Sequence, residues 1–206
     1  LVMDNNRYTA IYVTNQDVTG KPSTTVITNV TVTNQGYMSV LSDGDGLLQI
    51  TNGEFGPTPS NNIRCNGGTV QLKNVKVLGH NEKAGTAHHG VYLEGGLIEA
   101  EDLYISNARG HGIRNKGGDV VVKGLTIEGS RGDCAISNTY LPSGKAGTIR
   151  LSNVNISGSK SKNIVSEAGA MVVTGGTLQP CFGSNIKITG GSVTVSNLTI
   201  MGTAPG

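Results

Sequence analysis

Apolar and polar residues alternate along this chain in short runs, and the runs recur. In the stretch that begins at Gly112, Ile113, Asn115, Val120, Val122, Leu125 and Ile127 fall on one face. Arg114, Lys116, Asp119, Val121, Lys123, Thr126 and Glu128 fall on the other. A period of two predicts strand and excludes an amphipathic helix. The same arrangement restarts at Asn62, Gly90, Gly112, Cys134, Asn163 and Asn185, so successive starts differ by 28, 22, 22, 29 and 22 residues. Two weaker copies precede these, near Asp17 and Ser39. A unit of about 22 residues is too small to bury its apolar face alone, so it must stack on its neighbours as a solenoid.

Pairs of glycines and a polar corner break each unit into three runs. Three strands per turn, stacked in parallel at ~4.8 Å, predict an all-β parallel β-helix of about eight to nine coils. The corner supports this. Asn29, Asn74, Asp102, Gly124, Gly175 and Asn197 lie twelve residues after a start. Asn153 joins them once the loop of its coil is discounted, and Asn52 is one place late. Asn, Asp and Gly are the residues that accept a left-handed backbone at low cost. Stacked Asn side chains are also placed to hydrogen-bond from coil to coil.

Residues 1–206 leave room for one domain, a rod on the order of 40 Å long at ~4.8 Å per coil. With 31 glycines and 15% charged residues, the composition suits tight corners around a thin aliphatic core. A net charge of +2 gives no reason to expect a nucleic-acid partner. No apolar run approaches the length of a membrane span. Cys65, Cys134 and Cys181 form an odd, widely spaced set, expected to be buried thiols and not a disulfide framework. No Cys or His spacing suits zinc, and Ser42-Asp43-Gly44-Asp45 reads as a turn as readily as a calcium loop, so neither metal nor cofactor is expected. The sequons at Asn29, Asn155 and Asn197 follow from a corner Asn preceding alternating Ser/Thr. The chain starts partway through a turn and shows no capping element, which suggests a fragment of a longer polypeptide or ends covered by other chains.

The coil pattern G-I-x-x-x-G-G-x-V-x-V-x-N-L-x-I resembles the right-handed parallel β-helix of the pectate-lyase-like superfamily. The stretch SGSKSKNIVSEAGAMVVTGGTLQPCFGSNI is most similar to the β-helix of bacteriophage tailspike and tail-fibre proteins. That resemblance implies a homotrimer on the virion tail that binds, and often cleaves, the surface polysaccharide of a bacterial host. Gly110-His111-Gly112 and Gly132-Asp133-Cys134 resemble polygalacturonase elements. Here they come in reverse order without the second acidic residue, and the repeat itself accounts for them.

Candidate chemistry follows from the stacking. The register before the first strand reads Asn61, His89, His111, Asp133, Lys162 and Ser184. Two places into the strand, the outward register reads Arg64, Tyr92, Arg114, Ile136, Val165 and Lys187. Two places further it reads Asp43, Asn66, Glu94, Lys116, Asn138 and Glu167. Together they predict a polar patch centred on the coils that start at Gly90 and Gly112, flanked by insertions at Gly79 to His89 and Asn138 to Lys145. Arg64, Tyr92, Arg114, His89 and Lys116 are the expected substrate-binding residues, with Tyr stacking on a sugar and Arg gripping acidic groups. Glu94, Asp133, Asp43 and His111 are the candidate catalytic groups. Asp43 and Glu94 sit about 10 Å apart in backbone terms, near the separation of an inverting carboxylate pair. The alternative is that these charges serve solvation and cross-coil pairing, as in the row Lys73, Glu101, Lys123.

The expected function is therefore a tailspike-type receptor-binding protein for host polysaccharide, with cleavage left open. The rivals are a secreted or autotransported adhesin, a monomeric secreted lyase or hydrolase, and a structural virion protein. Ice binding needs a flat Thr face, which Lys76 and Tyr104 interrupt.

Overall fold

The computed structural model describes residues 1–14, 16, 17, 19–79 and 88–202. Among them are strands and turns and no helix. Nine strands form one sheet in chain order: Val2–Asp4, Thr24–Thr33, Leu47–Phe55, Thr69–Leu78, Leu97–Ser106, Asp119–Glu128, Thr148–Ser157, Ala170–Leu178 and Ser192–Ile200. The other eight form a second sheet, also in chain order: Ile11–Val13, Val40–Ser42, Ile63–Cys65, Val91–Leu93, Ile113–Asn115, Cys134–Asn138, Lys162–Ser166 and Ile186–Ile188. Every pairing between named strands is parallel, and each strand between the two ends of its sheet pairs with its counterparts in the units before and after it. This architecture is compatible with a β-helix solenoid.

The three runs expected per unit appear as two strands, one short and one long. The second and third runs join into one long strand because only a single residue separates them. That residue is the corner. Asn29, Asn52, Asn74, Asp102, Asn153 and Asn197 have φ between 51° and 56°, and Gly124 and Gly175 have φ of 71° and 72°. The ladder skips the corner and resumes beyond it: Lys123 pairs with Glu101 and Leu125 with Leu103, with Gly124 and Asp102 between. Side chains reinforce the bend, since Asn52 donates to Asn29 Oδ1 at 2.9 Å and Asn74 to Asn52 Oδ1 at 2.8 Å. Asn52 is late in its unit because the turn between Ser42 and Leu47 is one residue longer than that between Cys65 and Thr69.

The core lies between the sheets and follows the alternation. Ile113, Asn115, Val120, Val122, Leu125 and Ile127 are all fully buried. Their equivalents in neighbouring units, such as Ile98, Leu103 and Ile105, stack on them in register. The buried Asn115 is satisfied locally: its amide donates to Gly118 O at 2.8 Å and to Asn138 Oδ1 at 3.0 Å. It thereby closes the glycine turn between the short and long strands. All three cysteines are buried thiols.

One register differs from the sequence reading. Ile113 pairs with Ile136 and Arg114 with Ser137, so the unit placed at Cys134 starts one residue later, at Ala135. Its loop is correspondingly shorter, because Ile136 then pairs with Ile164. The reason is the core. Ile136 is fully buried, and pairing it with the outward Arg114 would turn it to solvent. Asn138, expected to face outward, is consequently buried beside Asn115.

Candidate functional site

The short-strand sheet carries the predicted patch on its outer face. Tyr92 pairs with Arg64 on one side and Arg114 on the other, as the spacing required. The next position belongs to Ser137, not Ile136. The one-residue shift also changes the register before the strand. Cys134 is the Cα partner of Lys162, so it and not Asp133 continues the row from His89 and His111. His111 Nδ1 lies 2.8 Å from Cys134 O and 3.3 Å from its Sγ. Asp133 is exposed and directed elsewhere, with its carboxylate 2.6 Å from Lys162 Nζ. Asp43 is also exposed, on the turn that follows Val40–Ser42.

At the centre is a column of rings. His111 stacks on His89 with centroids 5.0 Å apart, and His89 stacks on Tyr92 at 5.4 Å. Arg64 and Lys116 cover the Tyr92 ring at 5.4 and 5.7 Å from its centroid. Tyr92 is only 8% exposed as a result, so its ring packs against protein cations and offers little open face to a sugar. Its hydroxyl donates to Glu94 Oε1 at 2.7 Å, and Arg64 Nη2 grips Glu94 Oε2 at 2.6 Å. Arg64 Nε also donates to Asn66 Oδ1 at 2.8 Å.

These contacts fix protonation states. Partial burial pushes the Glu94 carboxyl up, but the Tyr92 hydroxyl, Arg64 and Lys116 outweigh it and hold Glu94 below its ordinary value. Burial, then the bond to Glu94, pushes Tyr92 up to about 12. Burial pulls the His111 imidazole down, outweighing the bond to the Cys134 carbonyl. With Nδ1 donating to that carbonyl, the neutral ring keeps its lone pair on Nε2. The Asp133 carboxyl is held low, chiefly by Lys162. Burial pushes the Cys134 thiol up to about 12, so its approach to His111 does not make a thiolate nucleophile.

Arg114 stands apart from these satisfied groups. His89 Nδ1 accepts the backbone N–H of His111 at 3.0 Å, so the ring proton of neutral His89 is on Nε2. That N–H faces Arg114 Nη1 at 3.4 Å, donor against donor. The Nε of Arg114 is buried and has no acceptor. Among the described residues Arg114 has no carboxylate partner within ion-pair distance. The patch thus presents a guanidinium lined up beside Tyr92 with hydrogen-bonding capacity left over.

The Asn138–Lys145 insertion borders this face. Leu141 N donates to Lys145 O at 2.9 Å to close its turn. The Leu141 side chain covers Gly117, where an added Cβ would lie 2.8 Å from Leu141 Cδ1. The opposite insertion falls mostly on residues 80–87, outside the described residues.

Two rows emerge that sequence reasoning passed over. Gln49 donates to Gln71 Oε1 at 2.7 Å and Gln71 to Glu99 Oε2 at 2.8 Å, on the outer face of the long-strand sheet. A groove of about 480 Å³ runs along them, edged by Thr51, Lys73, Glu101 and Lys123. The period-two count already aligned these positions; what it lacked was a reason to weight amides over charges. The second row, Arg109, Arg131 and Lys160, lies in the turns that follow the long strands. No family model, curated protein or solved structure matches the chain.

Proposed function

We propose that this protein is a receptor-binding β-helix of the bacteriophage tailspike type, which holds a bacterial surface polysaccharide on the outer face of its short-strand sheet. The single observation that carries the binding assignment is Arg114. Its buried Nε lacks an acceptor, and its Nη1 meets the donor edge of His89. A buried donor without a partner costs on the order of 1–3 kcal/mol. That cost leaves the side chain free to turn, and a carboxylate or hydroxyl-rich ligand would meet the outer edge of the guanidinium, with Arg64, Lys116 and Glu94 beside it as further polar partners.

The reading favours binding over cleavage. A glycosidase acid needs a raised pKa so that it carries a proton at neutral pH. Glu94 and Asp133 are both held below their ordinary values and are engaged by cations. The coil pattern and the parallel pairing support a right-handed helix of about eight to nine coils, since parallel crossovers between strands of one sheet are overwhelmingly right-handed. Homotrimeric assembly and a place on the virion tail rest on the resemblance of the coil sequence to tailspikes.

The test is affinity electrophoresis through host capsular or lipopolysaccharide glycan, run alongside a reducing-end assay. The wild-type protein is expected to be retarded without releasing reducing ends. Arg114→Ala is expected to lose at least tenfold in affinity with no fall in melting temperature. Full retention by Arg114→Ala removes the patch from the binding site. Reducing ends that vanish in Glu94→Gln would replace binding with catalysis.

A further inference from the structure

The ion pairs seen elsewhere on this solenoid join opposite charges on successive units. Lys73 and Lys123 both pair with Glu101, and the Lys73–Glu101 ion pair measures 3.2 Å. Off register, Arg64 reaches Glu94 and Lys162 reaches Asp133 on the neighbouring unit, each at 2.6 Å. One row breaks the rule. Arg131 N bonds Ala108 O at 2.8 Å and Lys160 N bonds Ser130 O at 2.9 Å. Arg109, Arg131 and Lys160 therefore sit side by side on three consecutive units, at a backbone spacing of ~4.8 Å. Like charges directly opposed across a ladder destabilise it. Neither Arg131 nor Lys160 makes an ion pair among the described residues.

The row lines a groove of about 780 Å³ whose other walls are Pro57, Leu78, Gly79, Ser106 and Asn107. Among the described residues no carboxylate lines it. Glu128, the acid nearest in register, accepts the Tyr104 hydroxyl at 2.7 Å instead. His88 lies close enough to Arg109 to feel its charge, and burial first and that charge second pull its imidazole down, toward the neutral form. The groove shares no residue with the Arg114 patch.

From this geometry we infer that the groove is a subsite for an anionic glycan, whose acidic groups lie against Arg131 and Lys160. The inference rests on the reading of the protein as a glycan binder and names the class of glycan. A nucleic acid fits less well, because the described lining of the groove holds no aromatic side chain on which bases could stack, and the whole chain carries only +2. Uronate and sulfate share the chemistry that the row would recognise.

The experiment is titration of the whole chain with polygalacturonate, a sulfated glycan, neutral dextran and a duplex DNA of similar length. Wild-type protein is expected to bind one or both acidic glycans, and to lose about tenfold in affinity as salt rises from about 50 to 200 mM. Arg131→Glu/Lys160→Glu should lower that affinity at least tenfold and flatten its salt dependence, with no fall in melting temperature. Arg131→Lys/Lys160→Arg should retain binding. An unchanged affinity in the charge-reversed variant overturns the inference, as does tighter binding to DNA. Equal affinity for dextran overturns it too, while leaving the glycan-binding reading standing. Binding to none of the glycans, including host polysaccharide, sinks that reading itself.

Discussion

Two corner residues separate backbone strain from side-chain bonding. Asn153 and Asn74 both hold left-handed backbone, with φ of 55° and 51°. Asn74 also donates to Asn52 Oδ1 at 2.8 Å, whereas Asn153 makes no side-chain hydrogen bond among the described residues. An ordinary L-residue in this conformation costs about 1–2 kcal/mol, of which Asn bears only part, so Asn153→Ala should destabilise by about 1 kcal/mol. Asn153→Gly removes the Cβ penalty but loosens the unfolded chain, for a net effect within about 0.5 kcal/mol of wild type. At Asn74 the lost bond adds about 0.5–1.5 kcal/mol to each, giving about 2 kcal/mol for Ala and about 1 kcal/mol for Gly. Urea denaturation followed by circular dichroism reads these as shifts in midpoint at constant slope. If Ala and Gly cost the same at Asn153, backbone conformation is not what the corner residue supplies. If Asn74 and Asn153 respond identically, the amide ladder contributes nothing.

Three further outcomes follow from the same geometry. Gly147→Ala would drive a Cβ into the Gly118 carbonyl oxygen, a backbone atom that cannot swing aside, and is expected to abolish soluble folded protein, whereas Gly144→Ala, with open space around it and only the strain of its positive φ of 82° to bear, should still fold. The corrected register predicts that Arg114→Cys/Ser137→Cys forms a disulfide under mild oxidation, while Arg114→Cys/Ile136→Cys does not; the reverse result in non-reducing mass spectrometry would restore the earlier alignment. The pH dependence has a definite sign. His88 and His111 have folded pKa values pulled down, so the stability they confer is whole above an unfolded imidazole value of about 6.5 and is lost as pH falls below it. Glu94 and Asp133 are also held low, so their contribution is whole above about 4 and disappears in stronger acid. Melting temperature should therefore fall from about pH 6.5 downward, and His111→Gln should flatten the upper part of that fall; a flat profile between about pH 7 and 5 in wild type would contradict the assignment.

The sequence showed the fold well wherever a rule was local. The Gly112 unit resolved inside from outside correctly because alternation needs only neighbouring residues. The corner row was legible because a left-handed backbone admits so few residue types. The error at Cys134 arose because Cys, Ala and Ile are all apolar, so the pattern CAISN tolerates either phase. Only the parallel partner of Ile113 decides between them. Tyr92 failed differently. Its outward register was right, but a sequence cannot say that Arg64 and Lys116 fold over the ring and leave it 8% exposed. The orphaned Nε of Arg114 was equally invisible, since it depends on which nitrogen of His89 meets the next unit's backbone.

The longer turn between Ser42 and Leu47 has a wider meaning. Inside, the aliphatic columns on either side of it remain aligned: Val40 still faces Ile63, and Leu48 still faces Val70. The added residue is absorbed wholly at the rim. Turn length and interior packing are thus separate variables in this architecture, so the external chemistry of one storey can be rewritten by lengthening or shortening a bend while the storeys above and below keep their shape.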